Sequence, residues 1–371
     1  MKKLEKSVPV IRFKGFSEAW EQRKLEDILD VRSGRDYKHL DSGDIPVYGT
    51  GGYMLSVGEA LSYEEDAIGI GRKGTIDKPY ILNAPFWTVD TLFYTVPKRD
   101  SDLNFIHSIF QKINWKSKDE STGVPSLSKT TINAVSVFTP SCSEQKEIGT
   151  FFNKLDDTIA LHQRKLDTLK QMKKGLLQQM FPKSEEDVPK IRFADFDEEW
   201  YQRKLGEEFE KINERNDGSF GKTHWISVAK MYFVEPNKVL SNNIDTRTYV
   251  MRKGDIAFEG HSNTDFKFGR FVANDIGPGI VSELFPVYRH KTNYDNNYWK
   301  NAIQLEHIMA PIYSKSITSS GNSSNKLDSK HFLNQKIYIA DFEEQEKIGS
   351  IFKQLDNTII LYQNKLNKFD I

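Results

Sequence analysis

Two stretches of the chain carry apolar residues at alternating spacings of four and three, the seam of a long helix that packs on another helix. In the first stretch the seam runs through Ile148, Phe152, Leu155, Ile159, His162, Leu166, Leu169, Lys173, Leu176 and Met180. In the second stretch it runs through Ile348, Phe352, Leu355, Ile359, Tyr362, Leu366 and Phe369. One such stretch would fit an ordinary amphipathic core helix. Two stretches with the same seam favour a coiled-coil-like pair of helices.

The two stretches are copies of one sequence. Residues 144–166 read EQKEIGTFFNKLDDTIALHQRKL and residues 344–366 read EQEKIGSIFKQLDNTIILYQNKL, at a constant offset of 200 positions. Ser141 and Ser143 precede the first copy as capping residues and Pro182 follows it, so we expect one unbroken helix of roughly 55 Å. The first copy continues through DTLKQMKKGLLQQMFP, whereas only NKFDI follows the second. The second helix is therefore predicted to be shorter.

A second repeat precedes each helix. Residues 8–25 read VPVIRFKGFSEAWEQRKL and residues 188–205 read VPKIRFADFDEEWYQRKL, with 12 identities in 18 positions at an offset of 180. The chain thus consists of a leader, an insert and a helix, followed by a second leader, an insert that is 20 residues longer, and a second helix. Because Trp20 and Trp200 lie in this repeated frame, we interpret them as core anchors.

The two inserts, at about residues 26–143 and 206–343, share no comparable sequence identity, so only the frame is repeated. Alternating apolar residues predict short strands at residues 45–48, 67–70 and 134–138 of the first insert, and at 255–258, 285–288 and 335–339 of the second. Glycine and proline turns separate them. These features predict an α+β protein with two mixed α/β domains and a pseudo-twofold repeat. The expected boundaries are 1–143, 144–182, 183–343 and 344–371.

Composition narrows the class of protein. Lysine plus arginine equals aspartate plus glutamate at 52 each, so the formal charge is zero, which argues against a simple basic nucleic-acid binder that works alone. A single cysteine, Cys142, excludes an internal disulfide and fits a reducing compartment. The chain has neither a signal-peptide pattern nor an apolar run long enough for a membrane span, so we expect a soluble cytoplasmic protein.

Catalytic motifs are weak. Residues 69–74 match GxGxxG after a predicted strand, but Pro79 follows instead of a helix that could hold a pyrophosphate, which favours a glycine turn between strands. Gly221 and Lys222 resemble the end of a phosphate-binding loop, but Asn216 stands where that motif needs glycine. No Pro-Pro pair of an amino-methyltransferase motif occurs, and the histidines lack metal-ligand spacing. We therefore expect a chain that is not catalytic by itself and carries no metal.

The repeated EQ(K/E)xIGxxFxxLDxTIxLxQxKL helices and IRFxxFxxxWxQRKL leaders resemble the DNA-specificity subunits of type I restriction-modification enzymes, and the resemblance covers essentially the whole chain. In the first insert, DIPVYGTGG, IGRKGTI and PSLS also look like that family's target-recognition domains. In the second, KGDI is similar to a family strand entry, and Lys326 to Asp328 resemble a divergent counterpart of Ser126 to Ser128.

The resemblance implies a function. Each insert would read one half of a split double-stranded DNA site, and the two helices would pair antiparallel, set the unread gap and help to dock two adenine-N6 methyltransferase subunits. The chain itself would bind no cofactor, because S-adenosylmethionine, ATP and Mg²⁺ would belong to the methyltransferase and to further restriction and translocase subunits. A non-catalytic scaffold that joins two identical partners without reading DNA is the alternative. A self-contained nucleic-acid enzyme would need motifs that this sequence lacks.

Candidate DNA contacts are polar and basic residues near glycine turns, where backbone can approach phosphate and Arg or Lys can pair with guanine. In the first insert they are Arg35, Lys38, Tyr48, Arg72, Lys73, Thr75, Ser126, Ser128 and Lys129. In the second they are His261, Ser262, Asn263, Lys267, Asn325 and Lys326. For any one of them, solvated surface or turn chemistry is the commoner role. For helix pairing and partner docking the candidates are Phe152, Leu155, Ile159, Leu166, Leu169, Phe352, Leu355, Ile359, Tyr362 and Leu366.

Overall fold

A computed structural model describes residues 9–183, 186–240, 244, 247–320 and 324–369. Val8 of the first leader and residues 370–371 of the second predicted helix domain lie outside the described residues. The chain divides into two compact units, residues 1–161 and 162–371, with the division inside the first long helix. The four-part division expected from the sequence stays a prediction.

Unit 1 is built on two small sheets and a strand pair. Its strands are β1 (Glu21–Lys24), β2 (Leu29–Ser33), β3 (Ser42–Gly49), β4 (Gly52–Val57), β5 (Ala67–Gly71), β6 (Tyr80–Leu82), β7 (Trp87–Thr88), β8 (Leu92–Pro97) and β9 (Ser136–Thr139). An antiparallel sheet has the order β2-β8-β5-β6, a second sheet has the order β4-β3-β7, and β1 pairs with β9. Strand β5 is buried along its whole length, as its AIGIG sequence predicts.

Short helices cover the antiparallel sheet of unit 1. They are α1 (Leu25–Ile28), α2 (Leu103–Lys112) and α3 (Lys129–Asn133), with a 3₁₀ turn at Trp115–Lys118. Side chains cap the N-termini of α2 and α3. Asp102 accepts a hydrogen bond from the Phe105 amide, and Ser128 accepts one from the Thr131 amide. The core between sheet and helices contains fully buried Phe110 and Trp115. The edge that carries the turn after β5 is left open to solvent.

Unit 2 repeats this plan with different residues. Its strands are β10 (Tyr201–Lys204), β11 (Phe209–Ile212), β12 (Ile226–Ser227), β13 (Tyr232–Phe233), β14 (Thr248–Met251), β15 (Ile256–Glu259), β16 (Arg270–Ala273), β17 (Gly279–Ser282), β18 (Val287–His290), β19 (Ile317–Ser320), β20 (Asn325–Leu327) and β21 (Lys336–Ile339). Its short helices are α5 (Leu205–Glu208), α6 (Asn296–Ala302), α7 (Glu306–Ser316) and α8 (Ser329–Asn334), with 3₁₀ turns at Lys222–His224 and Pro236–Lys238.

The inserts therefore share a topology that their sequences do not reveal. In unit 2 the four-stranded sheet has the order β11-β18-β15-β16, which corresponds strand for strand to β2-β8-β5-β6. The leader strands also correspond, since Glu21 pairs with Thr139 and Tyr201 pairs with Ile339. The sequence repeat covers only the leaders and the long helices, whereas the structural repeat also includes the domain-sized inserts between them.

The two predicted helices are present as α4 (Cys142–Gln179) and α9 (Phe342–Asn367). Ser141 accepts a hydrogen bond from the Glu144 amide, and Asp341 accepts from the Glu344 amide, so each helix begins with a side-chain cap. No helix among the described residues is long and apolar enough to cross a membrane.

Within unit 2, the second half of α4 packs antiparallel on α9. The His162 ring lies 5.6 Å from the Tyr362 ring, Lys173 Nζ donates to Asp356 at 2.6 Å, and the Phe181 ring lies 6.1 Å from Phe352. Partners on α9 thus descend in number as those on α4 ascend, which defines an antiparallel pair. The polar residues His162 and Lys173 fill seam positions because each finds a partner on α9.

A buried ion pair explains why leader and helix repeat together. In unit 1 the Arg12 guanidinium makes a two-pronged contact with the Glu144 carboxylate, at 2.6 and 2.7 Å. In unit 2 Arg192 makes the same contact with Glu344, at 2.8 Å for both bonds. The bonded carboxylate raises the pKa of each arginine. Both carboxylates are almost fully buried, so each leader arginine neutralises a charge at the start of its helix.

The glutamine and glycine of the EQxxIG motif lock the helix onto the domain. Gln145 donates to the Pro140 carbonyl and accepts from the Asp102 amide, and Gln345 donates to Ala340 and accepts from Asp295. A Cβ on Gly149 would stand 2.2 Å from the Asp102 carboxylate. On Gly349 it would stand 1.9 Å from the equivalent Asp295 carboxylate, so only glycine fits at either position.

Candidate nucleic-acid interface

The site in unit 1 starts at the glycine turn after β5. Gly74 has a φ of +97°, and a Cβ on Gly71 would lie 1.9 Å from the Thr75 carbonyl oxygen. The turn therefore requires glycine at both ends, and it projects Arg72 and Lys73 into solvent. The GxGxxG segment joins β5 to β6, as the glycine-turn interpretation predicts, and Thr75 contributes its backbone to the turn.

A second loop docks on this turn through backbone hydrogen bonds. The Gly74 amide donates to the Pro125 carbonyl at 2.8 Å, and the Leu127 amide donates to the Arg72 carbonyl at 2.9 Å. The Asp119 carboxylate accepts from the amides of Ser126 and Ser121, and these bonds lower the pKa of Asp119. The loop is thus held in one conformation beside the arginine-lysine turn.

Five of the predicted unit 1 residues line one cleft of about 530 Å³ as a result. They are Arg72, Lys73, Ser126, Ser128 and Lys129, joined by Ser33, Phe93, Glu120 and Leu127. The Arg72 guanidinium lies 5.8 Å from the centre of the Phe93 ring, and Ser128 Oγ donates to Glu120 at 3.1 Å. Three cations with a single carboxylate on the lining give the cleft a positive balance suited to a phosphate or a base edge.

A neighbouring concavity of about 620 Å³ contains Lys38, the Gly49–Met54 hairpin turn, Asp90 and Thr91. Arg72 connects the two concavities, because its side chain donates to the Asp90 carbonyl and its amide donates to the Thr91 carbonyl. Arg35 is also exposed, and its carbonyl accepts from the Trp87 indole at 3.0 Å. These contacts place Lys38 and Arg72 on the rim of one continuous surface.

Tyr48 belongs beneath this surface. Its half-buried ring packs against Tyr80 at 6.0 Å and Tyr53 at 6.4 Å. Tyr80 in turn donates to the Gly49 carbonyl at 2.6 Å, and burial raises the pKa of its hydroxyl. Tyr53, which the sequence reasoning missed, is 63% exposed on the rim. The sequence feature that could have identified it is an aromatic residue directly after a glycine turn, because such a ring can stack on a base.

In unit 2 the corresponding turn follows β15. The Asn325 amide donates to the Gly260 carbonyl at 2.9 Å, as the Leu127 amide does to Arg72 in unit 1. The Asn325 side chain donates to Ser262 Oγ at 3.0 Å. These bonds join the loop of His261, Ser262, Asn263 and Lys267 to the segment of Asn325 and Lys326, so the structure brings the two predicted groups together.

The unit 2 turn has its own internal supports. Asn263 Oδ1 accepts from the amides of Asp265 and Phe266, at 2.9 Å each, which closes the tip of the loop. The Lys267 ammonium lies 5.5 Å from the centre of the Phe268 ring. Arg270, also missed from the sequence, lies 4.9 Å above the Phe266 ring and donates to the Ala229 carbonyl. Loop and strand are thereby tied to the rest of the unit.

A buried carboxylate distinguishes the unit 2 turn. Glu259 ends β15, is 6% exposed and accepts from the His261 amide at 3.0 Å, and it also contacts the His261 ring. The counterpart of this strand end in unit 1 is Gly71, which begins the glycine turn that contains Arg72 and Lys73. Sequence reasoning missed Glu259 because IAFE has the pattern of a buried strand. The sequence feature that could have identified Glu259 is a charged residue at the last position of an otherwise apolar strand.

A short helix follows the docked loop in each unit, and it begins at the equivalent position in both units. Ser128 caps α3 in unit 1 through the Thr131 amide, and Asp328 caps α8 in unit 2 through the His331 amide. The latter bond lowers the pKa of Asp328. The resemblance between residues 126–128 and 326–328 noted in the sequence therefore corresponds to one structural position.

The seam residues divide by unit. In unit 2 Leu166, Leu169 and Phe352 are buried, and Leu355 packs against the core. Ile359, Tyr362 and Leu366 are half-buried there. On the unit 1 part of α4, Leu155 and Ile159 are half-buried and Phe152 is 41% exposed. Among the described residues, no group of histidine, cysteine or carboxylate side chains has the arrangement of a metal site.

Comparisons with known proteins agree with this arrangement. Residues 17–171 match the family model described as "Type I restriction modification DNA specificity domain". The specificity subunit of the type I restriction enzyme MjaVIII from Methanocaldococcus jannaschii is 22% identical over 283 residues, which are 70% of this chain and 64% of that protein. The alignment thus spans less than two thirds of the relative's length.

The fold also has a solved counterpart. The crystal structure of the S subunit of a type I restriction-modification system from M. genitalium superposes with a TM-score of 0.61 and 14% identity, covering 94% of this chain and 92% of that chain. At this identity the likeness concerns the fold. Residues 17–171 are thus similar to the DNA specificity domain of type I restriction-modification systems, and the fold of the chain is similar to that of an S subunit.

Proposed function

We propose that this chain is the DNA-specificity subunit of a type I restriction-modification complex and that each unit reads one half of a bipartite double-stranded DNA site. The observation that carries the proposal is the pair of equivalent turns. The two units share a sheet order, a docked loop and a capped helix, yet one turn presents Arg72 and Lys73 and the other presents His261 and Ser262. A common frame with different side chains suits two half-sites of different sequence.

The DNA-contact residues in this proposal are those of the two surfaces. In unit 1, Arg72, Lys73, Ser126, Ser128 and Lys129 would contact bases and phosphates, with Arg35, Lys38 and Thr75 beside them. In unit 2, His261, Ser262, Asn263, Lys267, Asn325 and Lys326 would do so. Tyr48 would support the unit 1 hairpin from below. Polar and basic side chains on rigid turns can read base edges because the backbone fixes their positions.

The catalytic activities of the complex would come from partner subunits. Two methyltransferase subunits, docked in equivalent ways on the repeated helices, would supply S-adenosylmethionine and the adenine-N6 methyl transfer, and restriction and translocase subunits would supply ATP-driven cleavage. The formal charge of zero fits this division, because partner subunits that wrap the duplex would supply much of the phosphate contact. In this role the chain acts in the cytoplasm and is not catalytic by itself.

The test is to co-express the chain with a type I methyltransferase subunit that assembles with it, in a host without DNA methylation, and to map modified adenines across the genome. The proposal predicts one split motif with a fixed unread gap and methylation on both strands. A control culture with the methyltransferase alone should show none. If the purified complex forms but methylates no defined motif, the chain is a scaffold that joins partners without reading DNA.

A further inference from the structure

The turn after β15 in unit 2 holds an exposed histidine against a buried carboxylate. Glu259 is the last residue of β15, and its side chain is 7% exposed. One of its carboxylate oxygens, Oε1, accepts from the His261 amide at 3.0 Å and also contacts Nδ1 of the His261 ring. The His261 side chain is 64% exposed. Glu259 thus fixes both the backbone and the ring of a residue on the candidate DNA surface.

Close packing of two glycines keeps this pair in place. A Cβ on Gly260 would lie 2.2 Å from the Asn325 carbonyl oxygen, and one on Gly269 would lie 2.4 Å from the Glu259 carbonyl oxygen. The φ of Gly269 is +84°, a conformation that favours glycine. The Gly260 carbonyl also accepts from the Asn325 amide at 2.9 Å. Because the backbone next to Glu259 is packed so closely, His261 has a defined position.

The charge of the Glu259 carboxylate needs a partner. Its cross-strand neighbour Arg270 is engaged elsewhere, because the guanidinium lies 4.9 Å from the centre of the Phe266 ring and donates to the Ala229 carbonyl. Within the part of the chain that the structure describes, the His261 ring is the only basic group at ion-pair distance from this carboxylate. A buried carboxylate is costly unless a cation pairs with it. The carboxylate and the phosphates of bound DNA therefore both favour a charged ring.

A charged ring at this position offers one free hydrogen-bond donor. Nδ1 of His261 is engaged with Glu259, whereas Nε2 has no hydrogen-bond partner among the described residues. With Nδ1 bonded to a carboxylate, Nε2 is a donor when the ring is charged and an acceptor when the ring is neutral. In the major groove guanine presents two adjacent acceptors, O6 and N7, whereas adenine places an amino donor beside N7. A cationic donor therefore favours guanine over adenine.

We propose that His261 is a specificity-determining residue of unit 2 that donates from Nε2 to a guanine in the major groove. Glu259 is the positioning residue, which keeps Nδ1 bonded and the ring charged. This role rests on the proposed function, because it assigns one base of one half-site. In unit 1 Gly71 occupies the equivalent strand end, and Arg72 and Lys73 supply the positive charge of the turn. Unit 2 obtains that charge from a histidine and a buried glutamate.

The test uses the full chain in complex with the methyltransferase subunit of the proposed complex, and duplexes that contain the mapped methylation motif. Each base pair of the motif is substituted in turn, and relative affinities are measured by competition. For the unchanged chain, replacing the recognised guanine with adenine should weaken binding by about 10-fold, as one mismatched pair typically does. His261→Ala should abolish discrimination at this base pair alone. Thr264→Ala, at an exposed position of the same loop, is the matched control and should preserve it.

Glu259→Gln distinguishes positioning of the ring from general support of the fold. Glutamine keeps the shape of the side chain and an oxygen that can accept from the His261 amide and from Nδ1, but it carries no charge. The ring then becomes neutral with Nε2 as an acceptor, so the preference at the same base pair should change from guanine to adenine, whose N6 amino group is a donor. Unchanged recognition of the other base pairs of that half-site shows that unit 2 remains folded.

Three results would overturn the proposal. One is a His261→Ala complex that discriminates every base pair as the unchanged complex does, or that loses discrimination at an A·T pair. The second is an equal loss of affinity for all duplexes, which marks a phosphate contact. The third is a Glu259→Gln complex that keeps the guanine preference, because the carboxylate would then not determine the state of the ring. Failure of the proposed function is distinguishable, since the unchanged complex would then have no defined motif and the role of His261 would fall with it.

Discussion

Phe152 and Phe352 occupy the same position of one repeated helix and have opposite environments. Phe352 is fully buried against Phe181, whereas Phe152 is 41% exposed. Trp200 bonds to Glu344, whereas the Trp20 indole finds no partner among the described residues. The sequence repeat therefore determines how the leader packs on the start of the helix in each unit. The burial of the repeated phenylalanine depends in addition on a segment distant in sequence, residues 180–181, which packs on it in unit 2.

The largest expected effect is at the buried ion pairs. Glu344→Ala leaves the Arg192 guanidinium, whose side chain is only 12% exposed, without its carboxylate and removes the Trp200 bond, so it should lower the local free energy of unfolding by ~3–5 kcal/mol. Glu144→Ala breaks the equivalent pair without an indole bond, so its effect should be smaller by the contribution of one hydrogen bond. Hydrogen exchange of α6 and α2, measured by mass spectrometry, reports the two units separately. Equal losses would show that the Trp200 bond contributes no stability.

The second-largest expected effect is at the equivalent phenylalanines Phe352 and Phe152. Phe352→Ala opens a cavity beside Phe181 and should cost ~3–4 kcal/mol in unit 2. Phe152→Ala removes a side chain that is 41% exposed and should cost below ~1.5 kcal/mol in unit 1. The same exchange experiment compares them. If Phe152→Ala destabilises its unit as strongly as Phe352→Ala, the two phenylalanines are equally buried in solution and the contrast is wrong.

The helix seam gives a moderate effect. Leu355→Asp places a carboxylate among apolar residues of the unit 2 core and should cost ~2–3 kcal/mol, with loss of the α4–α9 pairing. Leu361→Asp introduces the same charge at a position that is 52% exposed and is the control. Size-exclusion chromatography of the chain with the methyltransferase subunit of the proposed complex should show loss of assembly for Leu355→Asp alone. Normal assembly of this variant would mean that the seam does not support docking.

The smallest effect, counted per pH unit, is the pH dependence that buried His290 contributes in unit 2. His290 pairs with Phe209 where unit 1 pairs Pro97 with Leu29, and burial lowers the pKa of His290 to about 3. Between about pH 6.5 and this value the unfolded chain binds a proton that the folded chain does not. The free energy of unfolding should therefore fall with decreasing pH, by at most ~1.4 kcal/mol per pH unit.

His290→Phe should flatten that slope in urea unfolding between about pH 7 and pH 4.5, the range over which the unfolded histidine gains its proton. Its aromatic ring keeps the stacking on Tyr294, which lies 3.8 Å away. An unchanged slope in His290→Phe would show that this ring is protonated in the folded protein.

Local periodicity explains what the sequence could predict. Both long helices, the strand after residue 66 and the glycine turn at residue 74 follow from patterns within a few residues. Arg72 and Ser126 were predicted separately, as polar or basic residues near turns, and the structure joins their loops through the bonds of Gly74 to Pro125 and of Leu127 to Arg72. The bond between Arg12 and Glu144 spans 132 positions, and no local pattern predicts such a pairing. The shared topology of the inserts was hidden because dissimilar apolar residues build the same sheet.

The most direct test of the central claim compares the methylated motifs of three complexes: the unchanged chain, Arg72→Ala with Lys73→Ala, and Ser262→Ala with Asn325→Ala. We predict that the first double variant relaxes or weakens recognition of one half-site, that the second affects the other half-site, and that the gap stays constant in all three. If both variants weaken both half-sites equally, these residues are general phosphate contacts and the two units are not separate readers.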